Sequence, residues 1–276
     1  MKRTILLFTV LAIASTTGFA MFEDWQVGIR PNAMAGSYTA LANDVEGLRW
    51  NPAGLAELKG WQTVVYAKQL WMIPGLTNST LSIGNTLKKW GGAAISLQQV
   101  GCDLEKDQSL TFSHGMNLTD QLAFGYNLNL YRLWQARFGS AVTAGLDVGM
   151  LAKIYKKWRV GAFGHNLNHP SYGKLYEYDL PSGVSVGVAY EPFQGVLGSM
   201  DIDKDAGYVT AYKFGSEFTL WPDRLKLRGG IMNQGKITLY DIGFGVQVKG
   251  LMIGYAFEGG HEALNGTHQI GLGYWW

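Results

Sequence analysis

One cysteine, Cys102, stands in 276 residues. It leaves no intramolecular disulfide and no cysteine-based metal site. Charge is scarce too: Asp, Glu, Lys and Arg make up 16% of the chain, and the net charge is only +2. Lys and Arg are scattered, so the basic patch of a nucleic-acid-binding protein is missing. Beyond Ala20 no run of about 18 apolar residues occurs, the length a membrane-spanning helix requires. Catalytic patterns are missing as well. No Gly-Lys-Ser/Thr phosphate loop is found. His261, Glu262 and His268 lack the spacing with which a helix holds zinc. Ser113 and His114 are neighbours in an extended segment, so they face opposite sides and cannot form a nucleophile–base pair. No cofactor, no metal and no enzymatic activity are expected.

Aromatic residues are abundant, 13% of the chain with 10 Trp and 14 Tyr, and glycine reaches 37. Mean hydropathy is near zero. That balance fits segments that alternate apolar and polar positions. A disordered chain would lack the aromatics. The start, Met1-Lys2-Arg3 followed by an apolar run from Ile5 to Ile13 and small residues up to Ala20, reads as a secretory signal over residues 1–20. The run is too short to cross a bilayer as a helix.

The last residues are Ile270-Gly271-Leu272-Gly273-Tyr274-Trp275-Trp276. Bulky residues fall on every second position, with Trp275 the exception. A period of two puts them on one face of a strand. From Trp61 onward the chain is a series of such segments separated by turn signals. They are placed at 61–70, 77–85, 89–100, 108–115, 121–131, 138–154, 157–166, 183–190, 195–203, 209–220, 224–232, 236–248, 251–258 and 267–276. In the plainest, Leu122, Phe124, Tyr126, Leu128 and Leu130 alternate with Ala123, Gly125, Asn127 and Asn129. The count is about fourteen, an even number, as single-chain bacterial barrels require. Short connections alternate with mostly longer ones. The short side is expected to be periplasmic, together with the N-terminus. A soluble sandwich also has short strands, but the aliphatic face of nearly every segment would leave an apolar surface that soluble monomers do not tolerate. The expected class is all-β: a transmembrane antiparallel barrel of the bacterial outer membrane over residues 61–276. Its partners are then outer-membrane lipid and the barrel-assembly machinery, and Tyr274 and Trp276 of the closing strand are the expected assembly signal.

Residues 21–60 do not read as strand. The stretch from Pro31 to Asp44 is rich in small residues and suits a closely packed helix, with Pro31 in its first turn. Asn51-Pro52 fits an N-cap and first helical residue. A segment of about 40 residues is too short for a core of its own. It is expected to fill the barrel lumen as a partly helical plug.

Gly28-Ile29-Arg30-Pro31-Asn32-Ala33-Met34-Ala35-Gly36-Ser37-Tyr38-Thr39-Ala40-Leu41-Ala42-Asn43-Asp44, followed by Trp50-Asn51-Pro52-Ala53-Gly54-Leu55-Ala56, resembles the N-terminal signature of the PorV/PorQ group. That group is allied to the FadL-type channels. The resemblance implies a fourteen-stranded barrel with an N-terminal plug. From the FadL side it implies transport of small hydrophobic molecules past a gate. From the PorV side it implies an accessory of type IX secretion that docks cargo or secretion components. Asn32, Asp44, Arg49, Asn51, Pro52, Ala53 and Gly54 are the candidate plug and gate residues.

Charge is cheap on inward barrel positions and costly toward lipid. By the alternation, Asp147, Lys153, Arg159, His165, Lys213, Glu217, Arg228, Asp241 and Glu258 point inward. Asp147, Arg159, Glu217, Arg228, Asp241 and Glu258 are the candidate lumen wall, lining a path or satisfying the plug's polar groups. Arg49 is the expected partner of one carboxylate. The apolar stretch Trp71–Leu76 and Leu175, Tyr176 and Tyr178 belong to outer loops, where they receive a hydrophobic ligand or rest on the membrane interface. Transport is the leading function, and secretion docking the alternative.

Overall fold

A computed structural model describes residues 27–155, 157–173, 178–221, 224–260 and 264–276. The expected signal segment and the first part of the expected plug, up to residue 26, lie outside them. So do Leu175, Tyr176, His261 and Glu262.

Among the described residues, sixteen strands follow one another: β1 (Trp61–Gln69), β2 (Thr77–Thr86), β3 (Gly92–Gly101), β4 (Glu105–Asn117), β5 (Leu122–Gln135), β6 (Gly139–Tyr155), β7 (Trp158–His165), β8 (Ser171–Tyr172), β9 (Tyr178–Asp179), β10 (Gly183–Phe193), β11 (Val196–Asp205), β12 (Ala211–Trp221), β13 (Leu225–Gln234), β14 (Ile237–Val248), β15 (Leu251–Gly259) and β16 (Thr267–Trp275). Fourteen of them close into one antiparallel barrel. β8 and β9 pair only with each other, inside the long connection between β7 and β10. Each expected strand segment is present. Several run further than the pattern suggested: β4 begins at Glu105 and β5 continues to Gln135. Two of the outer connections, after β5 and after β13, are as tight as those on the other side.

Closure follows from the solvent. Lipid offers no partner to a backbone N–H or C=O, so a spanning sheet must leave no edge. Here the first strand pairs with the last along its length, from Gln62 opposite Trp275 to Gln69 opposite His268. The terminal residue takes part. Trp61 N–H donates to the Trp276 carbonyl and Trp276 N–H to that of Trp61, each at 3.0 Å. Their rings stack with centroids 6.1 Å apart.

Burial runs the reverse of a soluble fold. Leu128 is 52% exposed, while Asn127 beside it is 0%. The same inversion recurs around the ring, with Leu97, Phe214, Ile242 and Leu272 outside and Ser96, Lys213, Asp241 and Gln269 inside. This outward apolar band makes the chain a transmembrane barrel of the outer-membrane type. Trp61, Trp90, Trp158, Trp221 and Trp276 lie exposed at the end that carries the short turns and the C-terminus, as an interfacial girdle.

Residues 27–60 lie in the lumen, and glycine lets them reach the wall. Twelve of the fourteen barrel strands present a glycine whose added Cβ would meet this inner segment. On Gly125 a Cβ would come 2.3 Å from the Ala53 nitrogen, and on Gly230 2.4 Å from the Met34 carbonyl carbon. The glycines often stand opposite one another across strands, as Gly125 does Gly149, Gly161 does Gly187, and Gly215 does Gly230. The inner segment is one helical turn (Ile29–Asn32), then turns, then two 3₁₀ stretches at Val45–Arg49 and Pro52–Glu57. The helix expected from Pro31 to Asp44 does not form. Ala35 and Gly36 have φ of 54° and 70°, which ends any helix there. The segment instead spreads as a flat ribbon whose backbone groups bond to the wall.

Two predictions follow from this packing. Gly125→Leu should loosen the inner segment and speed its cleavage by added protease. Gly198→Leu, at a position where an added Cβ meets nothing within 4 Å, should leave the cleavage rate unchanged. Deleting Trp276 removes both terminal hydrogen bonds and one ring of the stack. It should lower the folded, heat-modifiable fraction recovered from outer membranes, read on unheated gels.

Candidate functional site: the filled lumen

The inner segment is held to the wall by buried polar contacts on several sides. The largest centre is ionic. Arg30 Nε donates to Glu217 of β12 at 2.9 Å, and Arg228 of β13 donates to the same carboxylate at 2.7 Å. Lys226 lies 3.6 Å from its other oxygen. Arg30 Nη2 donates to Glu217 as well, at 3.3 Å, and Nη1 donates to the Tyr38 hydroxyl and Asn43 Oδ1, both at 2.8 Å, and to Asp44 at 3.2 Å. Burial alone would lower the Arg30 guanidinium, but Glu217, Tyr38 and Asp44 outweigh it and hold the charge firmly. Burial pushes the Tyr38 phenol well up.

Arg30 is therefore the inner-segment cation that meets Glu217 on the C-terminal wall. Arg49 turns the other way and donates to Ser109 of β4 at 2.5 Å. Its surroundings include Tyr131, Tyr66 and Asp147, and burial lowers its guanidinium below the usual value. The two arginines lie on opposite sides of the folded segment, which a linear reading cannot separate.

On β11, the Asp201 carboxylate accepts from the backbone N–H groups of Tyr38 and Thr39 at 3.0 and 2.8 Å and from the Ser37 hydroxyl at 3.3 Å. β11 is one of the two strands without a glycine facing the inner segment, and it holds on by this carboxylate instead. Across the lumen, Asp147 of β6 accepts from Asn127 and Asn129 side chains at 3.0 and 2.8 Å and from Asn166 N–H at 2.8 Å. Asn127 also donates to the Leu48 carbonyl at 2.9 Å. Asp241 and Glu258 face each other on β14 and β15, with Asp241 3% exposed. His165 lies 3.5 Å from Asp205 near the outer end, and Lys213 pairs with Asp203.

Asn51 is the inner pin. It is fully buried. Its Oδ1 accepts from Ala53 N–H at 3.1 Å and caps the second 3₁₀ stretch, with Pro52 first inside. Its Nδ2 donates at 2.9 Å to two carbonyls, Thr39 of the inner segment and Met150 of β6. Two arms and the wall thus meet at one amide. The two halves of the signature motif also touch directly. A Cβ on Gly54 would fall 1.2 Å from the Ala42 carbonyl oxygen. That is why a glycine stands in the Asn-Pro-Ala-Gly turn opposite a stretch of small residues. Asn32 donates to Gln269 of β16 at 2.5 Å. Asp44 caps the first 3₁₀ stretch through Gly47 N–H at 3.0 Å.

Glu46 was not singled out from sequence. Its carboxylate accepts from Ile29 N–H at 2.7 Å and Arg30 N–H at 3.4 Å, at the start of the helical turn. Burial, then Asp44, raises it to about 7, partly offset by those N–H donors. Nothing in the local spacing pointed to it, because its partners lie 16 and 17 residues away.

Beneath the inner segment, at the short-turn end, opens a cavity of about 780 Å³, bordered by Asn43, Glu57, Lys59, Gln62, Lys153 and Trp275 among others. Arg159 and Lys153 reach Glu57 there at 2.9 and 3.1 Å. Trp275, the exception in the closing alternation, points inward and packs under the segment. At the outer end Tyr131, Tyr172 and Leu180 form a separate buried cluster, against which Leu133, Ala141 and Tyr178 pack. Tyr274 points outward.

This architecture has known counterparts. The toluene transporter TodX of P. putida superposes with a TM-score of 0.70 at 13% identity, over 91% of this chain and 98% of that one. The CymD monoaromatic hydrocarbon channel gives 0.62 at 12%, over 90% and 96%. A Pseudomonas aeruginosa FadL homologue gives 0.65 at 10%, over 90% and 98%. The fold is that of the FadL-type barrels. No family model matches the chain, and no curated protein matches it significantly. The PorV/PorQ resemblance gains no support from these comparisons, and neither does the secretion role it implied.

Removing Glu217 would leave Arg30, Arg228 and Lys226 facing one another in a buried centre. Breaking such a pair costs about 3–5 kcal/mol. Glu217→Ala should raise conductance in planar bilayers and expose the inner segment to protease, while the outer β-sheet signal in circular dichroism persists.

Proposed function

We propose that this barrel is a plugged outer-membrane channel for small hydrophobic molecules, with residues 27–60 as the plug. One observation carries the reading. The plug meets the wall around almost the whole ring, with a vestibule on the periplasmic side and an aromatic cluster at the outer mouth. A water-filled pore for polar solutes would need a continuous open path, and the wall-to-wall packing of the plug leaves none along its glycine contacts. A molecule that wets aromatic and aliphatic surface can instead partition into the outer cluster and pass as the plug shifts. The likeness to TodX and CymD supports the substrate class. The gate is held by Asn51 and by the Arg30–Glu217 centre, and no covalent chemistry is involved.

Asn51→Asp tests this with almost no change in shape. It sets a carboxylate against the Thr39 and Met150 carbonyls, so both donated hydrogen bonds are lost, at about 1–3 kcal/mol each. In intact cells lacking their own hydrocarbon channel, the native protein should speed toluene uptake and leave sugar uptake unchanged. Asn51→Asp should admit small sugars as well. Absence of any toluene effect from the native protein would refute the substrate class, and a sugar-tight Asn51→Asp barrel would refute the gate.

A further inference from the structure

Three of the inward carboxylates have donors or counter-ions: Asp147 three hydrogen bonds, Asp201 three, Glu217 three cations. Asp107 is different. It is the third residue of β4, near the outer mouth, and is 4% exposed. Both of its carboxylate oxygens are enclosed and accept no hydrogen bond, and among the described residues it makes no ion pair. An enclosed carboxylate without a partner costs several kcal/mol. It would lower its free energy by meeting a donor that also carries positive charge.

Its surroundings are aromatic and aliphatic. Asp107 stands opposite Leu133 on β5. Leu133 packs against the cluster of Tyr131, Tyr172 and Leu180, which Tyr178 also joins. Tyr172 lies within electrostatic reach: burial, and after it the Asp107 carboxylate, pushes its phenol up. Two residues along the same face, Ser109 stands opposite Gln98, which stands opposite Thr80. Gln98 Oε1 and Thr80 Oγ1 are again buried without partners. Ser109 between them accepts from Arg49. A buried apolar cluster with aromatic members, set beside one unpaired carboxylate, fits an amphipathic cation. A hydrocarbon would leave the carboxylate unpaired. A carboxylate-bearing ligand would be repelled. A neutral alcohol would give one hydrogen bond but leave the charge.

We propose that Asp107, with Tyr131, Tyr172 and Leu180, forms a binding site at the outer mouth for small primary ammonium ions that carry an aromatic or alkyl body. The ammonium group seats on the Asp107 carboxylate and the apolar body packs against Tyr172 and Leu180. The proposal deepens the channel reading and rests on it for the route by which a ligand arrives.

Binding of 2-phenylethylammonium, 2-phenylethanol and ethylbenzene to the detergent-solubilised mature barrel, followed by calorimetry, tests it. The ammonium ion should bind about tenfold more tightly than the alcohol. Asp107→Asn should abolish that preference while heat modifiability, the readout of an intact barrel, stays as it is. Equal binding of the three probes to the native protein, or a preference that survives Asp107→Asn, would overturn the site. Toluene uptake by cells separates the two readings. Uptake without an ammonium preference leaves the channel standing and removes this site. A preference without uptake keeps the site and removes the channel.

Discussion

A backbone in hydrocarbon must find every hydrogen bond within itself, and the architecture follows from that. Strands can meet the demand only as a closed ring. A ring of fourteen strands leaves a lumen too wide for wall side chains alone to fill. The filling comes from the same chain, as the ribbon of residues 27–60. It could not approach a wall lined with ordinary side chains, so the strands offer glycine at the level of contact. The many glycines of this sequence are thus a packing device. They trade side-chain volume on the wall for backbone volume in the lumen.

The ribbon brings its own polar backbone into a space where little water can reach it. Each group must be met, since a buried orphan costs about as much as a hydrogen bond contributes. The wall supplies Asp201, Asn127 and Gln62 for this purpose, and the ribbon supplies Asn51, Asp44 and Glu46. The Arg30–Glu217–Arg228 centre adds charge. A buried charge centre of this kind is weak as a source of net stability but strong as a specifier of place, because no other register of ribbon on wall would pair all its members. In the function proposed above, the ribbon is a gate that opens as this set of contacts is exchanged.

Much of the barrel was legible in the chain because a strand between lipid and lumen must alternate, and alternation is local. Leu128 beside Asn127, or Ile242 beside Asp241, shows its two faces without knowledge of any neighbour. The inward charges at Glu217, Arg228, Asp241 and Glu258 were legible for the same reason. The lumen was less so. Small residues from Pro31 to Asp44 suited a helix on propensity, but they serve contact with glycine strands and form turns. That Arg30 meets Glu217 while Arg49 meets Ser109 was not legible, since which arginine faces which strand depends on how the ribbon folds. The hairpin of β8 and β9 left no period to read, being two residues on each side. The unpaired state of Asp107 could not be seen at all, because it is a statement about what is missing from its surroundings.

By itself, then, the sequence determined the solvent. Period-two alternation, with apolar and aromatic residues on one face and small or polar ones on the other, calls for a lipid-facing ring, and it does so residue by residue. Only the tertiary structure decided what stands inside it. Pairing across the lumen joins residues more than a hundred positions apart, such as Arg30 with Glu217 or Asn32 with Gln269. Such pairing is set by closure and by the shape of the space that closure leaves, neither of which any stretch of the chain carries alone.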